Sequence, residues 1–202
     1  SNGLTVFLVN DPNASLVSVR TFIRAGSIEE GDYLGSGISH YLEHIVAGGT
    51  TAKRTEDEYK TAISMIGGAF NAYTTTDHTC YYINTVSKDI YEAVNLLYEW
   101  MFFCTFDKKE FNRERKVIIK EIEKNNASIS RQFYQLCQTN FYKYNPIRLP
   151  VIGYLENFKA LKDADLINYY KERYVPSNMV LVIGGNFDDE KVFQQVKNTF
   201  GS

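Results

Sequence analysis

Short apolar alternations and helical stripes follow one another along this chain. Residues 4–9 (LTVFLV) and 16–25 (LVSVRTFIRA) are rich in β-branched and aromatic residues, and Asp11-Pro12-Asn13 between them is turn chemistry. They predict a local pair of strands. Gly31, Gly35 and Gly37 break that pattern. A helical stripe follows at about 36–47 and stops at Gly48-Gly49. Thr55 is placed to cap a second helix at about 56–66, with Glu58 at capping-box spacing and Gly67-Gly68 closing it. Residues 69–75 and 79–86, full of Phe, Tyr and Thr, read as a second strand pair. Helices are expected at about 88–104, 108–126, 128–142 and 163–173, a buried strand at 178–186 and a last helix at 188–199.

Strands in local pairs separated by helices do not make strict β-α-β alternation. The expected fold class is α+β, a mostly antiparallel sheet with helices packed on one face. With 202 residues, 44% of them hydrophobic, one core suffices without disulfides or a structural metal. No repeat or linker interrupts the pattern, so residues 1–202 are read as a single domain.

Charge removes some function classes. Lys plus Arg is 22 and Asp plus Glu is 24, a net charge of −2, which leaves no basic footprint for nucleic acid. No apolar run is long enough for a membrane span. The opening Ser-Asn-Gly-Leu-Thr-Val is not a signal peptide and is compatible with a trimmed natural N-terminus. Cys80, Cys104 and Cys137 form no framework and no CxxC. They favour a reducing compartment. The cytoplasm is expected, with the periplasm or an organellar matrix open if a targeting segment was removed.

Two of the three histidines fall in His40-Tyr41-Leu42-Glu43-His44. For this composition a chance HxxEH arises roughly 0.003 times per chain. On a helical wheel Ile38, Leu42 and Ile45 share the core stripe, while His40, Glu43, His44 and Ala47 share the opposite one. Imidazoles at i and i+4 can face one ion. Neutral imidazoles suit Zn²⁺, and a carboxylate beside them can act on water. The plainer alternative is a surface helix with two solvated histidines.

A catalytic zinc site needs a third protein ligand. Between Arg113 and Glu123 the wheel puts Glu114, Val117, Ile118 and Glu121 on one apolar stripe. Glu123 falls opposite with Lys116 and Lys120. An unpaired carboxylate on an apolar face is expensive, and a metal with its supporting groups would satisfy both acids. The competing readings are pairing of these acids with Arg113 or Arg115, and His78 as third ligand.

These residues resemble the insulinase-type (M16) zinc peptidases, the inverted zincins that carry HxxEH. The resemblance runs from Gly37-Ile-Ser-His40-Tyr-Leu-Glu43-His44 and Gly49-Thr50 through the block Gly67-Gly68-Ala-Phe-Asn71-Ala72-Tyr-Thr74 with Asp77-His78-Thr79. It continues through Arg115 to Glu121 and closes with Tyr174-Val-Pro176-Ser-Asn178-Met-Val and Gly185-Asn186. The look is similar to processing-peptidase-like or bacterial members. It implies His40, His44 and Glu121 as zinc ligands and Glu43 as the catalytic base. Glu114 is implied as the second acid of the catalytic set, supporting the site. Asn71 and Ala72 would lie where the substrate backbone docks. Ile38-Ser39 and Ala47 depart from the family pattern beside the ligands and bear on pocket shape only.

The larger departure is length. Family members usually continue into a second homologous half that closes over the site, and the Arg-Tyr pair of that half has no counterpart here. The resemblance implies the catalytic N-terminal domain of a longer protein, partnered by a C-terminal half in cis or in a separate subunit. The implied function is a zinc-dependent endopeptidase acting on unfolded or short peptides. The alternative is a non-catalytic substrate-recognition or metal-binding subunit of a paired peptidase.

Overall fold

The structure is a computed structural model and describes residues 2–201. Among these residues, β1 (Thr5–Asn10), β2 (Leu16–Ile23), β3 (Ala69–Thr74), β4 (Thr79–Val86) and β5 (Met179–Gly185) form one sheet in the order β1-β5-β2-β4-β3. Pairings β2–β4, β2–β5 and β3–β4 are antiparallel, and β1–β5 is parallel. The fold is α+β as expected, with a sheet that is mixed rather than purely antiparallel. The first two strands do not pair, because β5 lies between them. Its run Met-Val-Leu-Val-Ile is apolar on both faces, which suits a central strand and not an edge.

Alternation decides which side chains form the core. Val17, Val19 and Ile23 of β2, Tyr81 and Ile83 of β4, and Met179, Leu181 and Ile183 of β5 are buried on one face. Ser18, Arg20, Tyr82 and Asn84 on the other face are only half-buried. The buried face receives α1 (Ile38–Ala47) and α3 (Ile90–Phe102). Around them lie α2 (Glu56–Met65), α4 (Lys108–Ala127), α5 (Ile129–Phe141), α6 (Leu155–Ala160), α7 (Asp163–Arg173) and α8 (Asp189–Thr199). The Thr55–Glu58 capping box is present at the start of α2. The short α6 is absent from the sequence expectation; six residues are too few to show a period, and buried Phe158 pins it to the core.

Helix α1 occupies the middle of this arrangement. Ile38, Tyr41, Leu42, Ile45 and Val46 are each buried, a contribution of roughly 1.5–3 kcal/mol per large apolar side chain. The Tyr41 hydroxyl donates to the Phe111 carbonyl at the start of α4, 2.9 Å away, tying the two helices together.

The sequence places the start of α1 near residue 36, but Gly37 has φ of +71° and the helix begins at Ile38. A Cβ at Gly37 would lie 2.1 Å from the Ile152 carbonyl oxygen, and one at Gly153 would lie 2.3 Å from the Ser36 carbonyl carbon. Two glycines thus let the loop at 150–155 close onto the helix start, where the Tyr154 N–H donates to the Gly35 carbonyl.

Gly37 offers no side chain to cap α1. The cap comes instead from Glu30, whose Oε1 accepts the Ser39 N–H at 3.1 Å, and from Ser36 Oγ, which accepts the Ile38 N–H at 3.2 Å. Glu30 is buried, and its second oxygen has no hydrogen-bond partner among the described residues. Burial pushes its carboxyl up to about 7, against the pull of the N–H groups of Ser39, Gly37 and Gly35.

Two outcomes follow from this helix start. Gly37→Ala should cost roughly 3 kcal/mol in urea unfolding, from the positive φ and the collision with Ile152; a loss below 1 kcal/mol would rule out the close approach. For Glu30, a folded pKa above the unfolded value of about 4.5 stabilises the protein fully below pH 4.5, and this stabilisation is lost as pH rises through about 7. Relative to wild type, Glu30→Gln should therefore gain up to about 3 kcal/mol between pH 4.5 and 8. A gap independent of pH would remove the shift.

Candidate metal centre

Two helices supply the potential ligands. His40 and His44 lie one turn apart on α1, on the side away from Leu42 and Ile45, with ring centroids 4.7 Å apart. Glu121 reaches them from α4, which lies against α1. His40 Nε2 and His44 Nε2 lie 3.9 Å and 3.8 Å from Glu121 Oε2. One ligand atom from each of the three residues falls within 4.8 Å of the others.

These separations are too long for hydrogen bonds. A tetrahedral ion with ligands at about 2.0–2.1 Å keeps them roughly 3.3 Å apart, so small side-chain movements complete the set. Two imidazoles and one carboxylate form a donor set that fits Zn²⁺ and leaves a position for water.

Electrostatics prepare both imidazoles. His44 Nδ1 and Glu114 Oε2 are 3.0 Å apart, and Glu114 Oε1 accepts from Arg113 Nε at 2.8 Å. Arg113 also reaches Glu56. The hydrogen bond with His44 lowers the Glu114 pKa despite burial, with Arg113 helping. An ionised Glu114 accepts a hydrogen bond from His44 Nδ1–H, which leaves the His44 Nε2 lone pair facing Glu121, the support that metal-bound histidines commonly receive. Burial pulls His44 down, but the Glu114 hydrogen bond and the charges of Glu43, Glu114 and Glu121 outweigh it and leave its pKa raised. His40 is held down to about 3 by burial and by His44, so it is neutral at ordinary pH. Its buried Nδ1 has no partner among the described residues.

Glu43 stands beside the three-residue cluster and outside it. It is 8% exposed, and its Oε2 accepts from Thr74 Oγ1 at 2.9 Å. Burial raises its pKa, with the Thr74 hydrogen bond and His44 opposing and Glu121 adding to the rise. Asn71 and Ala72 lie in β3, whose outer edge pairs with no other strand among the described residues; the Ala72 N–H donates to Asn71 Oδ1 at 2.9 Å.

Other expectations on α4 need adjustment. Val117 is 44% exposed and not on the core stripe, which is Phe111, Ile118 and Ile122. The helix is rotated so that Glu114 and Glu121 flank that stripe, and the Glu121 side chain is 38% exposed. The acid–arginine pairing holds for Glu114 with Arg113, whereas Arg115 turns to Leu161 and Asp163. His78 stays outside the cluster, held by Asp77 and Thr75 between the rings of Phe22 and Tyr73.

The centre opens into a cleft of about 660 Å³. Its walls include His40, Glu121 and Thr74, Tyr134 and Leu136 of α5, and Ile152. Sequence reasoning did not assign Thr74 or the α5 side chains. The signal for α5 was its density of Ile129, Phe133, Leu136 and Phe141 without a buried position, each of them exposed.

A sequence profile for insulinase (peptidase family M16) matches residues 5–154. The chain belongs to that family. A second profile, peptidase M16 inactive domain, matches residues 160–202, whose strand β5 completes the same sheet. The mitochondrial-processing peptidase subunit beta of Saccharomyces cerevisiae is 32% identical over 200 residues, covering 99% of this chain and 43% of that protein. An uncharacterized zinc protease of Bacillus subtilis is 29% identical, covering 100% and 48%. The crystal structure of a protease from Helicobacter pylori superposes with a TM-score of 0.92 at 26% identity, covering 100% and 49%. The chain spans less than half the length of each. At the family level it is a metallopeptidase-type chain with zinc protease relatives, and the His40, His44 and Glu121 cluster is compatible with the HxxEH motif. No helix among the described residues is long and apolar enough to cross a membrane.

The expected zinc stoichiometry is one ion per chain by elemental analysis. His44→Ala or Glu121→Gln should abolish tight binding, and Glu114→Gln should weaken it about 10–100-fold. Unchanged zinc in the first two variants would overturn the ligand set.

Proposed function

We propose that residues 1–202 are a single domain of a longer zinc-dependent endopeptidase that cleaves unfolded or short peptides. The observation that carries this reading is the division of labour on α1. Two imidazole Nε2 atoms converge with Glu121 Oε2, while Glu43 is buried beside that set and hydrogen-bonded elsewhere. His40, His44 and Glu121 would hold the ion, with Glu114 fixing the His44 ring.

When bound, zinc supplies Lewis acidity toward a peptide carbonyl and toward water. Glu43 then takes a proton from the attacking water and delivers it to the leaving amine. The peptide adds as a strand along the free edge of β3 near Asn71 and Ala72, a mode that grips backbone rather than sequence. For that to happen, Asn71 Oδ1 gives up the Ala72 N–H it holds in the peptide-free state.

The partner is a second homologous half, in the same chain or in a companion subunit, that completes the cleft. The free thiols of Cys80, Cys104 and Cys137 support a reducing compartment, the cytoplasm in the simplest case. A non-catalytic subunit would have no use for a proton-transfer acid, and the presence of Glu43 beside the ligand set argues against that alternative.

Glu43→Gln in the intact protein should retain one zinc and lose peptide hydrolysis by about 10²–10⁴-fold. Substantial remaining activity on quenched fluorescent peptides would remove Glu43 from proton transfer. At equal zinc occupancy the 202-residue chain alone should be slower than the intact protein by orders of magnitude, because no element among the described residues closes over its cleft. Equal rates would place the whole site within these residues.

A further inference from the structure

Thr74 is the last residue of β3, and its hydroxyl joins two structures that the reaction needs together. Oγ1 lies 2.9 Å from Glu43 Oε2 and 3.3 Å from Thr79 Oγ1. Thr79 Oγ1 in turn lies 2.6 Å from the Ala25 carbonyl oxygen, which can only accept. A hydroxyl has one proton, and Thr79 is buried with its proton directed to Ala25. Thr79 therefore gives nothing to Thr74. The Thr74 proton has two acceptors in reach, the Glu43 carboxylate oxygen at 2.9 Å and the Thr79 hydroxyl at 3.3 Å. The shorter contact is the better hydrogen bond, so the proton goes to Glu43. Oε2 of Glu43 is thus fixed from the sheet side, and Oε1 is the oxygen left for the reaction.

We propose that Thr74 is a positioning residue that sets the Glu43 carboxylate from the edge strand, so that a peptide seated along β3 and the base that acts on it share one rigid frame. The proposal rests on the peptidase reading above. Its geometry is specific: β3 packs against α1, and a hydroxyl at the final β3 residue is the one side-chain link between that strand and Glu43 among the hydrogen bonds of the described residues. A residue acting this way changes how well the base is aimed and leaves peptide affinity alone. The signature is therefore a change in kcat with KM and zinc content constant. Misplacement of a reacting group by about 1 Å costs on the order of 10²-fold.

The test uses the intact protein, loaded with zinc to equal occupancy, and quenched fluorescent peptides. Thr74→Val keeps the branched shape that suits a strand and removes the hydroxyl; it should lower kcat about 10–100-fold with KM unchanged. Thr74→Ser restores the hydroxyl and should recover most of kcat. In a Glu43→Gln background Thr74→Val should add no comparable loss, since the group it aims is already gone. Thermal melting checks that both variants fold. Three outcomes overturn the proposal: wild-type kcat in Thr74→Val, no recovery in Thr74→Ser, or a loss confined to KM. If zinc-loaded wild type cleaves none of the peptides, the peptidase reading fails by itself. Crystal structures of the wild-type and Thr74→Val chains then decide the positioning role. A Glu43 carboxylate that shifts away in the variant supports it, and one that stays in place overturns it.

Discussion

The rotation of α1 about its own axis governs everything described here, and burial sets that rotation. Ile38, Tyr41, Leu42, Ile45 and Val46 are all sealed in the core. A turn of the helix by one residue, about 100°, would expose several of them at a cost of many kcal/mol. Because the apolar stripe is fixed, His40 and His44 have one direction in which to point. That direction is toward Glu121 of α4. The polar chemistry is aimed by the apolar side of the same ten residues.

Around this helix the support is polar and largely buried. Glu30 receives the N–H of Ser39, Glu114 holds His44, and Thr74 holds Glu43. Each comes from a different segment, so α1 is gripped at its start and along its reactive side. Buried carboxylates are costly unless satisfied, and buried Glu30, buried Glu43 and half-buried Glu114 all lie on or against one helix. Glu30 pays that cost with a raised pKa, whereas Glu114 escapes it through Arg113 and His44.

Local rules made much of this legible. Alternation and capping located the strands and the long helices because those signals are carried by neighbours in the chain. The i, i+4 spacing of His40 and His44 is equally local. Glu121 could be chosen over Glu114 and His78 only through family resemblance, since its place depends on how α4 packs. The insertion of β5 between β1 and β2 was invisible for the same reason, being a contact between the two ends of the described chain. Glu30 as the cap of α1 lies nine residues before Ser39, outside any capping motif. The rotation that exposes Val117 follows from the packing of α4 on α1, and a wheel drawn on α4 alone does not contain it.

The close approach at Gly37 and Gly153 has a mechanical meaning. Backbone there touches backbone, with no side chain between to act as a cushion, and the Tyr154 N–H is bonded to the Gly35 carbonyl. The loop at 150–155 and the helix that carries His40 are in effect one piece. The facing wall is of another kind: α5 buries none of its residues and leans mainly on α4 and the turn at 146–148. The cleft therefore has one stiff jaw and one compliant jaw. A bulky occupant would be accommodated by displacement of α5, while the spacing of the two histidines stays where the core has put it.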